Sequence, residues 1–254
     1  MGNHQINLIK RGFAAWQRYG TRTFIEKTVD YLAGQVQDRF DPVPYALGVD
    51  WRVPPRPQLI NSQPLDLEHP VINWVIPHVG QGGGHRTIFR FVRYLQERGF
   101  RQRIYEMPIR RRRRSNPREL HDLIRQLYGI SLSEVHPDFQ AMQPADITIA
   151  TAWQTAYAVF QFPETRHKVY LVQDYEPYFT PVGTVSALAE NTYRFGFYGI
   201  TAGAWLADKL SGEFDMSCDQ FQLAVDSEIY HPLPTGEHNK VFFYARPVTA
   251  RRGF

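Results

Sequence analysis

The residues best suited to contact a ligand form a glycine-rich segment, Val79-Gly80-Gln81-Gly82-Gly83-Gly84-His85-Arg86. Glycines let a ligand or a second domain approach the backbone, and the N-terminus of a helix after such a segment favours an anion. The spacing is not that of a Walker loop, which ends in Gly-Lys-Ser/Thr. It also departs from the dinucleotide fingerprint, because His85 stands in place of the third glycine and we expect no acidic residue at the end of the following strand. A tight turn without a ligand is the alternative.

Two carboxylates and three aromatic rings lie close together in the segment Val172-Gln173-Asp174-Tyr175-Glu176-Pro177-Tyr178-Phe179. Aromatic faces combined with carboxylate acceptors suit the hydroxyl groups of a sugar. Asp174, Tyr175 and Glu176 are therefore candidate contacts for a sugar acceptor. Asp174 and Glu176 fit equally well as helix caps or ion-pair partners.

Five consecutive arginines occupy positions 110–114. Such runs are usually solvated loops, and the alternative is contact with anionic lipid head groups or a lipid-diphosphate acceptor. Nucleic acid is not expected as a partner, because no recognition helix or base-stacking motif accompanies the charge. Cys218 is the one cysteine and the nine histidines lack metal-ligand spacing, so we expect neither a disulfide framework nor a metal site.

Alternating strands and helices are expected to position these segments. The predicted strands are 71–76, 103–107, 146–150, 168–173, 198–201 and 240–244. The predicted helices are 85–97, 153–160, 186–195, 204–210 and one that starts at Asn116-Pro117-Arg118-Glu119, a capping sequence with proline at the first helical position. This alternation predicts an α/β fold with a Rossmann-like, doubly wound and mostly parallel sheet, whose carboxyl edge carries the glycine-rich segment.

The region before this fold differs in composition. Residues 1–40 predict a basic helical extension, and residues 41–70 contain seven prolines and predict an extended linker. Residues 1–125 carry 21 Lys/Arg against 11 Asp/Glu, so this half could contact an anionic membrane surface peripherally. The alternative for the extension is a helical hairpin packed on the domain. No apolar run is long enough to span a bilayer, and we expect a cytoplasmic protein, with any membrane contact at the inner face.

Two motifs near the end of the chain carry a family resemblance. One is Val225-Asp226-Ser227-Glu228-Ile229-Tyr230-His231-Pro232, and the other is Tyr244-Ala245-Arg246-Pro247-Val248-Thr249-Ala250-Arg251-Arg252-Gly253. The first resembles the segment that ends the first domain of family 4 GT-B glycosyltransferases. The second resembles the strand and loop that open their second domain, where a basic pair six residues apart grips the donor diphosphate. Arg246 and Arg252 match that spacing, although Ala245 stands where the family usually has glycine.

Further segments are similar to the rhamnan-synthesis rhamnosyltransferases, a subgroup that uses dTDP-rhamnose. They are Val172–Phe179, Gly82–Arg86 and the helical segment Ala187–Gly196. The resemblance implies an acceptor-side domain over residues 71–236 and the start of a truncated nucleotide-sugar-binding domain over 237–254.

The activity that this resemblance implies is retaining and metal-independent transfer of a sugar, L-rhamnose, from dTDP-L-rhamnose as substrate to a bacterial surface glycan or lipid-linked acceptor. No cofactor is expected. Donor contacts are then expected from Arg246, Arg252 and Gly82 to Gly84, and acceptor contacts from His85, Arg86, Asp174, Tyr175 and Glu176. No nucleophile is nominated, and the 254-residue chain alone is expected to be inactive.

Two other function classes stay open at this point. One is a non-catalytic module that binds anionic lipid or polysaccharide through the arginine-rich half. The other is a dinucleotide-dependent oxidoreductase, which would need the third glycine and the ribose-binding acid that the sequence is expected to lack.

Overall fold

Seven parallel strands form one sheet in the part of the chain that the computed structural model describes, which is residues 21, 41–56, 68–108, 116–225, 227, 230–232 and 241. The strands are β1 (Val71–Pro77), β2 (Arg101–Met107), β3 (Glu134–His136), β4 (Ala145–Ala150), β5 (Thr165–Val172), β6 (Tyr198–Ala202) and β7 (Cys218–Phe221). Their order in the sheet is β3-β2-β1-β4-β5-β6-β7. Strands β2 and β3 thus follow β1 on one side of the sheet, and β4 to β7 follow on the other side. This order confirms the predicted doubly wound sheet.

Helices cover both faces of this sheet. They are α1 (Pro42–Leu47), α2 (Gly83–Gln96), α3 (Pro117–Tyr128), α4 (Trp153–Gln161), α5 (Thr184–Asn191) and α6 (Ala204–Phe214). Strand β1 shows why two layers form, since its successive side chains enter different cores. Trp74 and Ile76 join the apolar cluster under α2 and α3, whereas Val75 joins the cluster under α1, α4, α5 and α6. A strand that is apolar on both faces needs such cover on both sides.

The two edge strands were not predicted from the sequence. Strand β3 has three residues and β7 has four, and both carry charged or polar side chains. Short and polar strands are typical of sheet edges, where they limit pairing with other chains. The apolar runs that signal a buried strand are for that reason missing from both.

The first part of the predicted linker is not extended. Residues Pro42–Leu47 form helix α1, which begins with Asp41 accepting a hydrogen bond from the N–H of Val43 at 3.0 Å. Helix α1 packs against α4 and α5, and Ala46 and Val49 are buried in the core. Proline is compatible with the first turn of a helix, and here the apolar residues between the prolines anchor the segment to the domain.

Helix α3 has the reciprocal cap that its sequence predicts. The Asn116 side chain accepts from the Glu119 N–H at 2.9 Å, and the Glu119 carboxylate accepts from the Asn116 N–H at 3.2 Å. We expect Asn116→Ala to lower the free energy of unfolding by about 1 kcal/mol, because one helix-terminal N–H loses its partner. Urea unfolding measures the change. Gln126→Ala, an exposed change inside the same helix, is the matched control, and an equal loss in both variants would contradict a capping role.

Several predictions fall outside the described residues. They are the helical extension over 1–40, of which only Thr21 is described, the arginine run 110–114 and the strand 240–244, of which only Val241 is described. Among the helices that the structure describes, none is both long and apolar enough to cross a bilayer.

Candidate functional site

A cavity of about 460 Å³ opens at the carboxyl ends of β1, β4 and β5. Its lining residues are Gly83, Gly84 and Thr87 of α2, Thr151 and Ala152 after β4, Gln173, Asp174, Glu176 and Phe179 after β5, and Leu223 after β7. The sheet order reverses between β1 and β4, and open α/β sheets bind their ligands in the crevice at such a reversal. The cavity therefore lies where the topology alone would place a ligand.

The glycines of the loop before α2 are not explained by backbone conformation. Gly82 has φ −66° and ψ 157°, which any residue can adopt, and Gly83 and Gly84 are helical. Among the described glycines, φ angles in the left-handed region occur only at Gly99, Gly129, Gly196 and Gly203. A Cβ atom built on Gly83 would have no neighbour within 4 Å, and one on Gly84 would lie 3.4 Å from the Gln173 amide. A tight turn does not account for glycine at these positions, and contact of these glycines with a ligand stays a prediction.

The N-terminus of α2 presents backbone N–H groups at the cavity. Gly83 and Gly84, in the first turn, line the cavity, and no side chain caps this helix end. Two hydrogen bonds fix the loop that leads into the helix. The Tyr128 hydroxyl donates to the Gly80 carbonyl, and the Val79 N–H donates to Glu106 Oε1 at 2.9 Å. Helix α2 has 14 residues, and its N-terminus is fixed in place and uncapped. Such a helix end is suited to bind an anion such as a phosphate.

An acidic residue lies next to the end of the second strand, where a dinucleotide fold carries its ribose-binding acid, but it is buried. Glu106 is the penultimate residue of β2, and the residue is 2% exposed. Its Oε1 atom accepts from the Val79 N–H and lies 3.0 Å from His78 Nδ1. The carboxylate thus fixes the β1 loop from inside and does not face the solvent, where the ribose of a dinucleotide would need it.

Glu176 lines the cavity and is hydrogen-bonded to the first residue of α4. One carboxylate oxygen accepts from the Trp153 N–H at 3.0 Å, and the other accepts from the Tyr170 hydroxyl at 2.8 Å. The Tyr193 hydroxyl accepts from the Glu176 N–H at 3.2 Å. Burial raises the pKa of Glu176 to about 7, and the negative Asp174 adds to the rise, while the two hydrogen bonds to the carboxylate oppose it. Glu176 was predicted as an acceptor contact, a helix cap or an ion-pair partner, and its bond to the Trp153 N–H is that of a helix cap. Its role as an acceptor contact stays a prediction.

The end of β4 is fixed by threonines. The Thr155 hydroxyl accepts from the N–H groups of Thr151 and Ala152 at 2.9 Å and 3.0 Å. The Thr151 hydroxyl donates to the Val75 carbonyl at 2.9 Å, across to β1. These bonds connect the ends of β1 and β4, the two strands that flank the reversal point, and so fix the position of Thr151 and Ala152 in the cavity wall.

Asp174 and Tyr175 are neighbours with different surroundings. Asp174 is half-buried in the cavity wall, and its Oδ1 accepts from the Tyr175 N–H at 2.8 Å. The Tyr175 ring is 4% exposed and packs among other aromatic rings, so it is absent from the cavity lining. Burial raises the pKa of Tyr175 to about 12, and nearby Glu190 and Glu213 add to the rise. Its hydroxyl is therefore protonated at neutral pH.

His85 and Arg86 follow the glycines but do not line the cavity. Arg86 is exposed, whereas the His85 ring packs beneath the loop, with Nδ1 3.6 Å from a Cβ built on Gly82. Burial lowers the pKa of His85, and hydrogen bonds to the carbonyls of Pro77 and His78 oppose that shift. Its Nε2 atom is buried and has no hydrogen-bond partner among the described residues. Both residues stay predictions as acceptor contacts.

The remaining predicted donor residues are placed as follows. Gly82 is the residue before α2 and lies just outside the cavity lining. Arg246 and Arg252 lie outside the described residues. In the described part of the chain, no group of three or more His, Cys, Asp or Glu side chains is arranged to hold a metal ion.

Four cavity residues were not singled out in the sequence: Thr87, Thr151, Ala152 and Leu223. Thr151 and Ala152 follow a predicted strand directly, so the rule that ligands meet the carboxyl ends of strands would have found them had the strand order been known. Leu223 follows the short edge strand β7, which has no apolar signal. Gln173 lay within the quoted aromatic and acidic segment, and the structure adds its contact with Gly84.

Comparison with known proteins gives two matches. A family model described as "WsaF, N-terminal domain" matches residues 72–202, just over half of the chain. The "O-antigen biosynthesis protein RfbC" of Myxococcus xanthus is 38% identical over 192 residues, a match that covers 71% of this chain and 15% of that protein. The chain thus spans about 15% of the length of this curated relative.

Proposed function

This chain belongs to the WsaF N-terminal domain family, and from that membership we propose that it is the acceptor-side domain of a GT-B glycosyltransferase of the family 4 type. The domain would work in the synthesis of a bacterial surface glycan. The name of the Myxococcus relative, an O-antigen biosynthesis protein, supports this setting. The doubly wound sheet with a cavity at its reversal point is the architecture that such a role needs.

The observation that carries the proposal is the open space above Gly83 in the cavity wall. Glycine in the first turn of a helix lowers helix stability, and nothing in the described packing requires it there. The space lies between an uncapped helix N-terminus and the polar side chains of Gln173 and Asp174. A phosphorylated donor and a hydroxyl-bearing acceptor could therefore meet in the same cavity, one at each wall.

We assign the reaction chemistry as electrostatic stabilisation of the leaving nucleotide diphosphate. As the bond between sugar and diphosphate breaks, negative charge grows on the phosphate oxygen. The N–H groups of α2 and the guanidinium groups of Arg246 and Arg252 would bind the leaving diphosphate, which gains a negative charge, more strongly than the sugar diphosphate ester of the donor. On the acceptor side, Asp174 would accept a hydrogen bond from a sugar hydroxyl. We nominate no nucleophile and no metal or other cofactor.

For the substrates we propose dTDP-L-rhamnose as donor and a surface glycan or lipid-linked saccharide as acceptor, with retention of configuration. Support comes from the similarity of the segments Gly82–Arg86 and Val172–Phe179 to rhamnan-synthesis enzymes, and both segments contribute to the cavity wall. The partners are therefore a nucleotide-sugar and a glycan, and peripheral contact with an anionic membrane stays a prediction for residues outside the described ranges.

Arg246→Ala, made in a longer protein that also carries the second domain, tests the donor assignment. We expect the affinity for dTDP to fall about ten- to hundredfold, because a charge-assisted hydrogen bond to phosphate contributes about 1.5–3 kcal/mol. Calorimetric titration with dTDP measures the change. Arg98→Ala is the control, since Arg98 is an exposed arginine at the opposite end of α2.

Two results would count against the proposal. Unchanged dTDP affinity in the Arg246→Ala variant would remove that residue from the donor site. Turnover of dTDP-L-rhamnose by the 254-residue chain alone would contradict the view that a second domain supplies most donor contacts.

A further inference from the structure

Three large aromatic side chains are exposed beside the cavity. Trp205, in the first turn of α6, is 59% exposed, Tyr178 is 58% exposed and Phe179 is 43% exposed. Tyr178 and Phe179 belong to the 3-10 turn Glu176–Phe179 that follows β5. Aromatic rings normally bury most of their surface, so a group of exposed rings marks a surface for a partner.

Tyr175 contacts two of these side chains, Tyr178 and Trp205. Its buried ring lies 4.7 Å from the Tyr178 ring and 6.5 Å from the Trp205 ring, both in edge-to-face geometry. The Lys209 ammonium group lies 4.7 Å from the Tyr175 ring centre and 6.0 Å from that of Trp205. The exposed rings of Tyr178 and Trp205 therefore both pack on the ring of Tyr175. We call Tyr178, Phe179 and Trp205 the aromatic platform.

The aromatic platform is continuous with the cavity. Phe179 belongs to the cavity lining together with Glu176, and Tyr178 is the next residue back along the chain. From the cavity mouth the platform therefore runs from the loop after β5 to the start of α6.

Hydrogen-bonding groups surround the rings. Lys209 donates to both oxygens of Glu213 at 2.7 Å, and Glu190 pairs with Arg194 at 3.1 Å. The Tyr175 hydroxyl lies 3.5 Å from Glu190. An apolar face with charged donors and acceptors at its border matches a sugar, which has C–H faces and hydroxyl edges.

We infer that the aromatic platform binds the sugar units of a glycan acceptor beyond the one that reacts in the cavity. The inference rests on the proposed function and adds that the acceptor is a chain of several sugars, recognised along its length. A neutral glycan is favoured over an anionic membrane, because residues 126–254 carry 14 Asp/Glu against 8 Lys/Arg. Stacking on three rings would then raise affinity with the number of sugars bound.

Calorimetric titration of the 254-residue chain with linear α-linked L-rhamnose saccharides of one, two and four units tests the inference. We expect the tetrasaccharide to bind at least tenfold more tightly than the monosaccharide. Trp205→Ala and Tyr178→Ala should each weaken tetrasaccharide binding about five- to tenfold, the effect of one aromatic stacking contact, and leave monosaccharide binding unchanged. Trp205→Phe should keep most of the affinity, because it keeps a ring at that position.

Tyr198→Ala is the matched control. Tyr198 is 43% exposed, like Phe179, but it is the first residue of β6 and so lies at the opposite edge of the sheet. Thermal unfolding of each variant shows that the fold is retained. Because the titration contains no nucleotide, its result is independent of donor binding and of transfer, which test the proposed function.

Affinity that does not grow with saccharide length would overturn the inference, as would equal losses in Tyr198→Ala and Trp205→Ala. Absence of saccharide binding, with sedimentation on phosphatidylglycerol vesicles that Trp205→Ala weakens, would assign the platform to a membrane and also overturn it.

Discussion

Gly83→Ala should stabilise the domain while it lowers transferase activity. The added methyl group meets no atom within 4 Å, and alanine favours the helical conformation that Gly83 already has. We expect the free energy of unfolding to rise by about 0.4–1 kcal/mol. The same methyl group would stand in the cavity between the helix N-terminus and the ligand. Displacement of a reacting group by about 1 Å can lower kcat/KM about 100-fold, and we expect a loss of that order in the longer, two-domain protein.

Gly212→Ala separates the two effects. Gly212 lies inside helix α6, and a Cβ atom built there also has no neighbour within 4 Å. This variant should gain similar stability and keep full activity. Urea unfolding and steady-state kinetics on both variants give the comparison. Full activity in Gly83→Ala would mean that the space above the helix is not used by a substrate.

Glu176→Gln should remove a large pH dependence of stability. Burial raises the pKa of this carboxyl group from 4.5 to about 7 in the folded chain. Between these values the folded state holds a proton that the unfolded state has lost, so wild-type stability falls as the pH rises from about 4.5 to about 7. At about 1.36 kcal/mol for each pKa unit, the carboxylate costs about 3 kcal/mol above pH 7. Glutamine is neutral, and its amide can hydrogen-bond to both the Trp153 N–H and the Tyr170 hydroxyl.

The measurement is urea unfolding of wild type and Glu176→Gln at pH 5 and at pH 8. The difference in unfolding free energy should be small at pH 5 and should favour the variant by about 3 kcal/mol at pH 8. Subtraction of the two profiles cancels the contribution of other groups, such as His85, whose lowered pKa acts in the opposite direction. Glu119→Gln, an exposed change of the same kind at the start of α3, is the matched control. A constant difference between wild type and Glu176→Gln would contradict the raised pKa.

The sequence predicted the central strands and their helices because their burial leaves a periodic signal. Strand β1 was predicted within one residue, and the cap of α3 was read from four residues, Asn116 to Glu119. The edge strands β3 and β7 were missed because neither has enough apolar residues to show burial. Helix α1 was missed because prolines indicated an extended chain, whereas the burial of Ala46 decides its structure.

For the candidate site, sequence patterns found segments but not their arrangement. The glycine loop and the segment after β5 were singled out, and the structure brings Gly83, Gly84, Asp174 and Glu176 into one cavity. Local sequence does not encode that β1 lies beside β4, which is the pairing that creates the crevice. Nor could it distinguish Tyr175, whose ring is buried, from Tyr178, whose ring is exposed three residues later.

The path of the chain after β7 has a mechanical consequence. Leu223 forms part of the cavity wall, and the Arg90 guanidinium donates to the Ala224 carbonyl at 2.8 Å, so this segment is tied to α2. The motif that resembles the end of a first domain begins at the next residue, Val225. In a two-domain enzyme, a hinge that starts here would have one end inside the acceptor site. Because Arg90 ties Ala224 to α2, movement of a second domain would shift Leu223 and change the shape of the cavity only if that hydrogen bond broke.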